Sequence, residues 1–175
     1  MIRYKLTDQK YRTRAGARNE ALWRNPDGTL PTVHATGSGD KLCSDGVIHS
    51  YASPELAAFM NPVHASITNP LCIEIETGPL VADDGTKGGH KWARMVRVVP
   101  LPVPTQRQRV IFAILAVRAI PGRAPIPVWD DWVDQYLKGA ADAAANAAAY
   151  AAAYAAAYAA IINFNAIAQQ AMNHP

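Results

Sequence analysis

The chain has 175 residues and a net charge of +3, which is enough length for one domain and an appendage. Its two cysteines, Cys43 and Cys72, lie far apart and form no CxxC pair, so free thiols in a reducing compartment are favoured over a disulfide. The N-terminal segment lacks the apolar stretch of a signal peptide. These features argue against a secreted, disulfide-stabilised class of protein.

The basic charge is concentrated near the N-terminus. Residues 1–24 contain seven basic and two acidic side chains, a net charge of +5. Arg12, Arg14 and Arg18 therefore form a candidate contact surface for an acidic partner, and the alternative is a solvated strand and loop. Nucleic acid is not the favoured partner, because no aromatic-and-glycine motif of an RNA-binding domain accompanies the charges.

The predicted elements begin with strands. Residues 2–6 alternate apolar and basic side chains, as a half-buried strand does, and residues 32–35 and 47–51 are two further strand segments. Residues 17–24 are predicted as a loop or a short helix. Residues 25–31 are predicted as a turn, because Asn-Pro and Asp-Gly break regular structure.

A helix is predicted after Ser53, which is a favoured N-cap residue and is followed by proline at the first helical position. It ends at Asn61, because the proline that follows disfavours helical backbone in the residue before it. Residues 71–77 are predicted as a strand, residues 78–90 as a hairpin-like loop and residues 91–99 as a further strand.

Thr105 is predicted to cap a buried helix over residues 106–120, and a proline-rich linker follows it. Residues 128–138 form a short amphipathic helix with Trp129 and Trp132 among its apolar positions. The expected fold class is α+β: a small mixed or antiparallel sheet with two or three packed helices, followed by a long C-terminal alanine-rich helix. The corresponding domains are residues 1–120, residues 121–139 and residues 140–175.

From residue 140 onward the chain is mostly alanine, the strongest helix former, so one helix to about residue 171 is predicted. Tyr150, Tyr154 and Tyr158 recur every four residues, and their stripe winds slowly round that helix. The tail can pack against a second copy or a partner, fold back on its own domain, or associate with a membrane. A membrane is disfavoured, because alanine is only weakly apolar and the tyrosines lie mid-segment.

Motifs of catalysis or metal binding are absent from the sequence. The histidines and cysteines show no metal-binding spacing, and there is no phosphate-binding loop. The adjacent acids Asp83/Asp84 and Asp130/Asp131 are interpreted as turn or capping residues. No catalytic residue, metal or cofactor is therefore predicted.

The densest group of polar residues lies at 43–51. Strand alternation places His49 and Tyr51 on one face, and with Gly46 they form a candidate ligand pocket. The alternative is that they are core residues with satisfied hydrogen bonds.

Three segments resemble an uncharacterised family of small phage and prophage proteins. They are KLTDQ at residues 5–9, LCSDGVIHSYASPELAAFMNPVHA at 42–65 and PLPVPTQRQRVIFAIL at 100–115. The resemblance covers roughly residues 1–117. It implies an α+β domain joined to a variable, low-complexity tail.

A more distant likeness relates the 46–60 region to ADP-ribosyltransferase-like folds, in which a strand and its following helix form part of a nicotinamide pocket. It implies that Gly46, His49 and Tyr51 line such a site. Glu74 or Glu76 would then supply the carboxylate that orients the ribose. This likeness is an analogy at the level of the fold.

The expected function is that of a phage-encoded accessory protein that acts by protein binding or assembly in the cytoplasm of the bacterial host. Its partner would be a second copy, a phage protein or a host protein such as an antiviral defence factor. The predicted contact residues are Arg12, Arg14, Arg18, Trp129, Trp132, Tyr150, Tyr154 and Tyr158. An ADP-ribosyltransferase-like or nucleotide-binding domain is the alternative, and a virion-structural or membrane-associated protein is the second alternative.

Overall fold

The computed structural model of the chain describes residues 1–17, 19–120, 125, 127–138 and 162–174, and the side chains of residues 128 and 129 are outside this description. The chain divides into two units, Met1–Val103 and Pro104–Pro175. The boundary between the two units lies before the helix that begins at Gln106, whereas a domain boundary after residue 120 was predicted from the sequence. Helices and antiparallel strands are both present, so the α+β class is confirmed.

The first unit contains the strands. In chain order they are β1 (Ile2–Thr7), β2 (Arg12–Thr13), β3 (Ala21–Leu22), β4 (Thr32–His34), β5 (Ile48–Ser50), β6 (Leu71–Thr77), β7 (Ala82–Asp83), β8 (Gly88–His90) and β9 (Trp92–Val99). They form a four-stranded sheet in the order β1-β6-β9-β4, a three-stranded sheet in the order β5-β8-β7 and a β2-β3 pair. A bridge between Tyr4 and Tyr51 connects β1 to the end of β5.

The core of the first unit lies on one face of the four-stranded sheet. Ile73 and Ile75 of β6 are fully buried there against Trp23 and Ile48. Lys5 is paired with Ile73, and directly paired residues of an antiparallel sheet share a face. The alternation predicted the β1 strand correctly. Its Lys5 side chain lies on the core face, however, while Ile2 is exposed.

Residues 17–24 contain strand β3 and no helix among the described residues, so the short-helix alternative there is wrong. The helix after Ser53 is confirmed as α1 (Pro54–Met60), with the Ser53 hydroxyl accepting from Leu56 N at 3.2 Å. Beyond it, a π-helical turn over Asn61–Ala65 continues through the proline that was expected to end the helix.

Three helices are described in the second unit: α2 (Gln106–Arg118), α3 (Pro127–Leu137) and α4 (Phe164–Met172). Thr105 and Gln108 form a capping box at the start of α2, which confirms the predicted cap. The Gln108 amide also donates to Met172 O at 2.8 Å and to His174 O at 3.1 Å, so it satisfies carbonyls at the end of α4. Phe112 of α2 and Phe164 of α4 have ring centroids 6.2 Å apart.

The predicted alanine-rich helix is not continuous to residue 171. Asn163 has non-helical backbone and caps the separate helix α4, accepting from Ala166 N at 3.0 Å. The N-terminal part of the predicted helix, at 140–161, lies outside the described residues. Among the helices that the structure describes, none has the length and apolar character to cross a membrane.

Candidate functional site

A pocket of about 220 Å³ opens on the core face of the first unit. Its walls come from the turn after β2, from β3, β4 and β5, and from one residue of β1. The residues of its wall that carry charge or an imidazole are Lys5, Arg14, Glu20, His34, Asp45 and His49. Sequence positions more than thirty residues apart therefore meet at one concave surface.

Lys5 is the basic residue held deepest in this wall. Its ammonium donates to His49 O at 2.7 Å and lies 5.5 Å from the centre of the Trp23 ring. Burial, and then the nearby guanidinium of Arg14, lower the pKa of Lys5 to about 7. The side chain thus changes charge near neutral pH, which an ordinary lysine does not.

His49 is held in one tautomer by the backbone of the preceding loop. Cys43 N donates to its Nε2 at 2.9 Å, so the ring proton is on Nδ1. Burial is the first cause that lowers the pKa of His49 to about 3, and the cations Lys5, Lys87 and Arg14 lower it further. The ring is therefore neutral at physiological pH and lies in a positively charged environment.

A second polar group lies beside His49 in the first unit. Lys87 is almost fully buried, and its ammonium contacts His64 Nε2 at 3.2 Å and an Asp84 carboxylate oxygen at 3.2 Å. The Tyr51 and His64 rings are stacked with centroids 6.5 Å apart. Burial, and then Lys87, lower the pKa of His64 to about 4, and burial raises the pKa of Tyr51.

A third polar group crosses from β1 to β8, with Arg3 partly buried and Ser50 and His90 fully buried. Arg3 Nε donates to Ser50 Oγ at 3.1 Å, and Ser50 Oγ donates to His90 Nε2 at 2.8 Å. His90 Nδ1 donates to Gly78 O at 3.1 Å, which sets the ring tautomer. Ser50 and His90 have no exposed surface, so we interpret their hydrogen bond as a structural contact.

The predicted pocket residues Gly46, His49 and Tyr51 are only partly brought together. His49 lines the pocket, whereas Tyr51 is buried and stacked on His64. Gly46 is not in the pocket wall; a Cβ there would lie 2.5 Å from Gly39 O, so the glycine is required by close backbone packing. Gly46 and Tyr51 thus support the site and do not line it.

Of the predicted basic contacts, Arg14 lines the pocket and Arg12 does not. Arg12 Nη2 forms an ion pair with Asp8 at 3.0 Å, which neutralises its charge. Arg14 has no ion-pair partner among the described residues and has left-handed backbone, with φ at 55°. Arg18 lies outside the described residues.

The predicted aromatic contacts lie in the second unit or beyond the described residues. Trp132 is half-buried and contacts Tyr136 at a centroid distance of 5.4 Å. The Trp129 side chain and Tyr150, Tyr154 and Tyr158 are outside the described residues. Their predicted contact role therefore stays a prediction.

The acidic residues named by the sequence analysis lie away from the pocket wall. Glu74 and Glu76 are paired with Arg97 and Arg94, each at 2.8 Å, on the sheet face opposite Ile73 and Ile75. Asp83 and Asp84 accept backbone N–H groups of their own turn, as expected. The described part of the chain contains no group of three metal-ligating side chains.

Three residues of this region were missed by the sequence analysis: Lys5, His64 and Lys87. Lys5 was counted only as part of the N-terminal charge. The signal that could have found it is its position in an alternating strand, where one face must be buried. His64 and Lys87 carry no such signal, because only the folded chain brings a π-helical turn and a hairpin together.

Comparison of the chain with family models, with curated proteins and with solved structures found no significant match. The site is therefore interpreted from its own geometry.

Acidification from about pH 6.5 to about pH 4.5 is expected to lower the free energy of unfolding. The folded-state pKa values of His49 and His64, about 3 and about 4, keep both rings neutral in this window. Unfolded histidines gain a proton near pH 6.5, so the unfolded state binds more protons and stability is lost as the pH falls.

Urea unfolding at several pH values measures this dependence. The double variant His49→Gln, His64→Gln should unfold with a smaller loss of stability across the window than the parent chain. An equal loss in both proteins would show that these two rings do not cause it.

Proposed function

We propose that the protein acts by binding, and that the pocket of the first unit takes a compact anionic ligand that carries phosphate or carboxylate. The observation that carries this proposal is the placement of Lys5 and Arg14 in one pocket wall, with no ion-pair partner for either among the described residues. Guanidinium and ammonium groups are the side chains that recognise such anions.

The two acids in the same wall, Glu20 and Asp45, form no ion pair with these cations among the described residues. Glu20 accepts from Gly16 N at 2.5 Å, which ties it to the turn after β2. Asp45 lies against Gly37, where a Cβ would approach its carboxylate to 2.1 Å. The groups that act on His49 electrostatically are all basic, which supports a positive potential at the pocket.

The size of the pocket favours a small ligand. Its 220 Å³ is below the roughly 300–1,000 Å³ that is typical for drug-sized ligands. A dinucleotide would not be enclosed, and Glu74 and Glu76 lie on the other face of the sheet. A free phosphate, a small carboxylate or a mononucleotide therefore fits better than the ADP-ribosyltransferase alternative.

The biological setting of this proposal rests on the sequence resemblance. It is that of a phage accessory protein in the bacterial host, with a host defence factor or a phage component as its protein partner. Self-association through residues 140–175 belongs to the same proposal and is tested by sedimentation of the full chain.

Calorimetric titration with inorganic phosphate, AMP and NAD tests the pocket. The Arg14→Ala variant should bind phosphate or AMP about tenfold or more weakly, since one charge-assisted hydrogen bond contributes about 1.5–3 kcal/mol. Arg24→Ala is the matched control, because Arg24 is exposed over the Tyr11 ring and outside this pocket.

Equal weakening by both variants would indicate general electrostatic attraction and overturn the site. Binding of NAD without binding of AMP or phosphate would instead favour the ADP-ribosyltransferase alternative.

A further inference from the structure

We propose that Lys5 is a nucleophilic amine and that the ligand of the pocket is an anionic aldehyde or ketone, which Lys5 binds covalently as an imine. This inference rests on the proposed anion-binding function and names the chemical class of its ligand. It is carried by the placement of one partly buried primary amine in the wall of a pocket that also holds an arginine.

The Lys5 amine is positioned by rigid surroundings. Its backbone is paired with Ile73 of β6, and the neighbouring Tyr4 forms backbone hydrogen bonds with Tyr51 at 3.0 and 2.7 Å. The amine itself has one hydrogen bond among the described residues, to His49 O. No other hydrogen bond engages the amine in the part of the chain that the structure describes, so the lone pair of its neutral form is open to a ligand in the pocket.

Only the neutral form of an amine attacks a carbonyl carbon. The lowered pKa of Lys5, about 7, leaves about half of its amines neutral at pH 7. An unperturbed lysine with a pKa near 10.4 is neutral in only roughly one molecule in 2,500 at that pH. Burial beside a second cation is a known way in which proteins activate a lysine nucleophile.

The reaction balances without any other reagent. The amine lone pair of Lys5 forms a bond to the carbonyl carbon, and the carbonyl π pair moves to oxygen. A proton passes from nitrogen to that oxygen through water in the open pocket, giving a carbinolamine. The hydroxyl group takes a proton from solvent and leaves as water while the nitrogen lone pair forms the C=N bond of a protonated imine, and the reverse sequence releases the ligand.

The ligand should be anionic for an electrostatic reason. A protonated imine at Lys5 would be a cation close to Arg14, and like charges at short range are unfavourable. A carboxylate or phosphate on the ligand, paired with Arg14, offsets both charges. His49 lies in the same pocket wall, and its Nδ1–H is a donor that the carbonyl oxygen can accept from.

The test is reductive trapping on the full chain at pH 7. The chain is incubated with glyoxylate or pyridoxal 5′-phosphate, with propionaldehyde as a neutral probe, and is then treated with sodium borohydride. Peptide mass spectrometry compares Lys5 with the exposed Lys10, Lys41 and Lys138. Lys5→Arg keeps the charge and removes the nucleophile, and Lys41→Arg is its control.

We expect at least about tenfold more adduct on Lys5 than on any exposed lysine with the two anionic probes, because of its larger neutral fraction. The adduct should disappear in Lys5→Arg and persist in Lys41→Arg.

Adducts confined to the exposed lysines, while phosphate still binds in calorimetry, overturn the covalent inference and leave the binding proposal standing. Equal trapping of propionaldehyde and glyoxylate at Lys5, without phosphate binding, overturns the anionic ligand and the proposed function together. The wild-type chain alone decides between these outcomes even where a variant fails to fold.

Discussion

The His90→Ala variant is expected to unfold at a clearly lower urea concentration than the parent chain, with a loss of about 3 kcal/mol or more in the free energy of unfolding. His90 has no exposed surface and bonds at both ring nitrogens. Its removal takes one hydrogen bond from Ser50 Oγ and one from Gly78 O, which keep Arg3 Nε and Thr77 Oγ1 as donors, and it leaves a cavity where the ring stood. The two lost hydrogen bonds, at about 0.5–1.5 kcal/mol each, add to the cost of the cavity left by the ring.

His34→Ala is the matched control for this loss. His34 is exposed at the end of β4, so its truncation should change stability by no more than about 0.5 kcal/mol. Ser50→Ala keeps the His90 ring in place and removes one hydroxyl, so an intermediate loss is expected. A midpoint for His90→Ala that matches the His34 control would contradict the role of this buried group.

The Trp23→Ala variant is expected to lose about 3–5 kcal/mol, since that is the usual cost of truncating a fully buried large aromatic side chain. Trp23 has no exposed surface and packs in the cluster that contains Ile48, Ile73 and Ile75. With a total stability of about 5–15 kcal/mol for a typical domain, this loss would leave the first unit close to unfolding at 25 °C.

The Trp23→Phe variant separates the stability contributed by the packed ring from that contributed by its Nε1 hydrogen bond. It keeps most of the buried surface and removes the Nε1 donor, which bonds Thr13 Oγ1 at 3.2 Å. Denaturant titration should show a loss well below that of the alanine variant. Comparable losses for both variants would mean that the hydrogen bond, and not the packing of the ring, is the main contribution of Trp23 to stability.

Many of the described helices and strands of the two units could be predicted from local sequence. Ser53 followed by proline predicted the start of α1, and Thr105 predicted the start of α2, because capping depends on residues within one turn. The alternation at 71–77 predicted a strand with Ile73 and Ile75 on one face, and both are buried. The turn at residues 25–31, before β4, was also predicted from adjacent residues, Asn-Pro and Asp-Gly.

The candidate site was predictable only in part. His49 was identified from its strand and does line the pocket. Arg14 was identified from charge alone, as one of several equivalent arginines. The charge count overlooked the ion pair between Arg12 and Asp8, which are only four residues apart, and it could not show that Arg14 lines the pocket.

The α+β class, the positions of the caps and the excess of basic residues near the N-terminus can all be deduced from the order of the amino acids. These properties depend on neighbours within a few residues. The tertiary structure decided which face of β1 is buried, and so placed Lys5 against Trp23 and His49. It also decided that His64 and Lys87 meet. Such contacts join residues far apart in the chain. The burial of Lys5 that lowers its pKa depends on these contacts and not on its neighbours in the sequence.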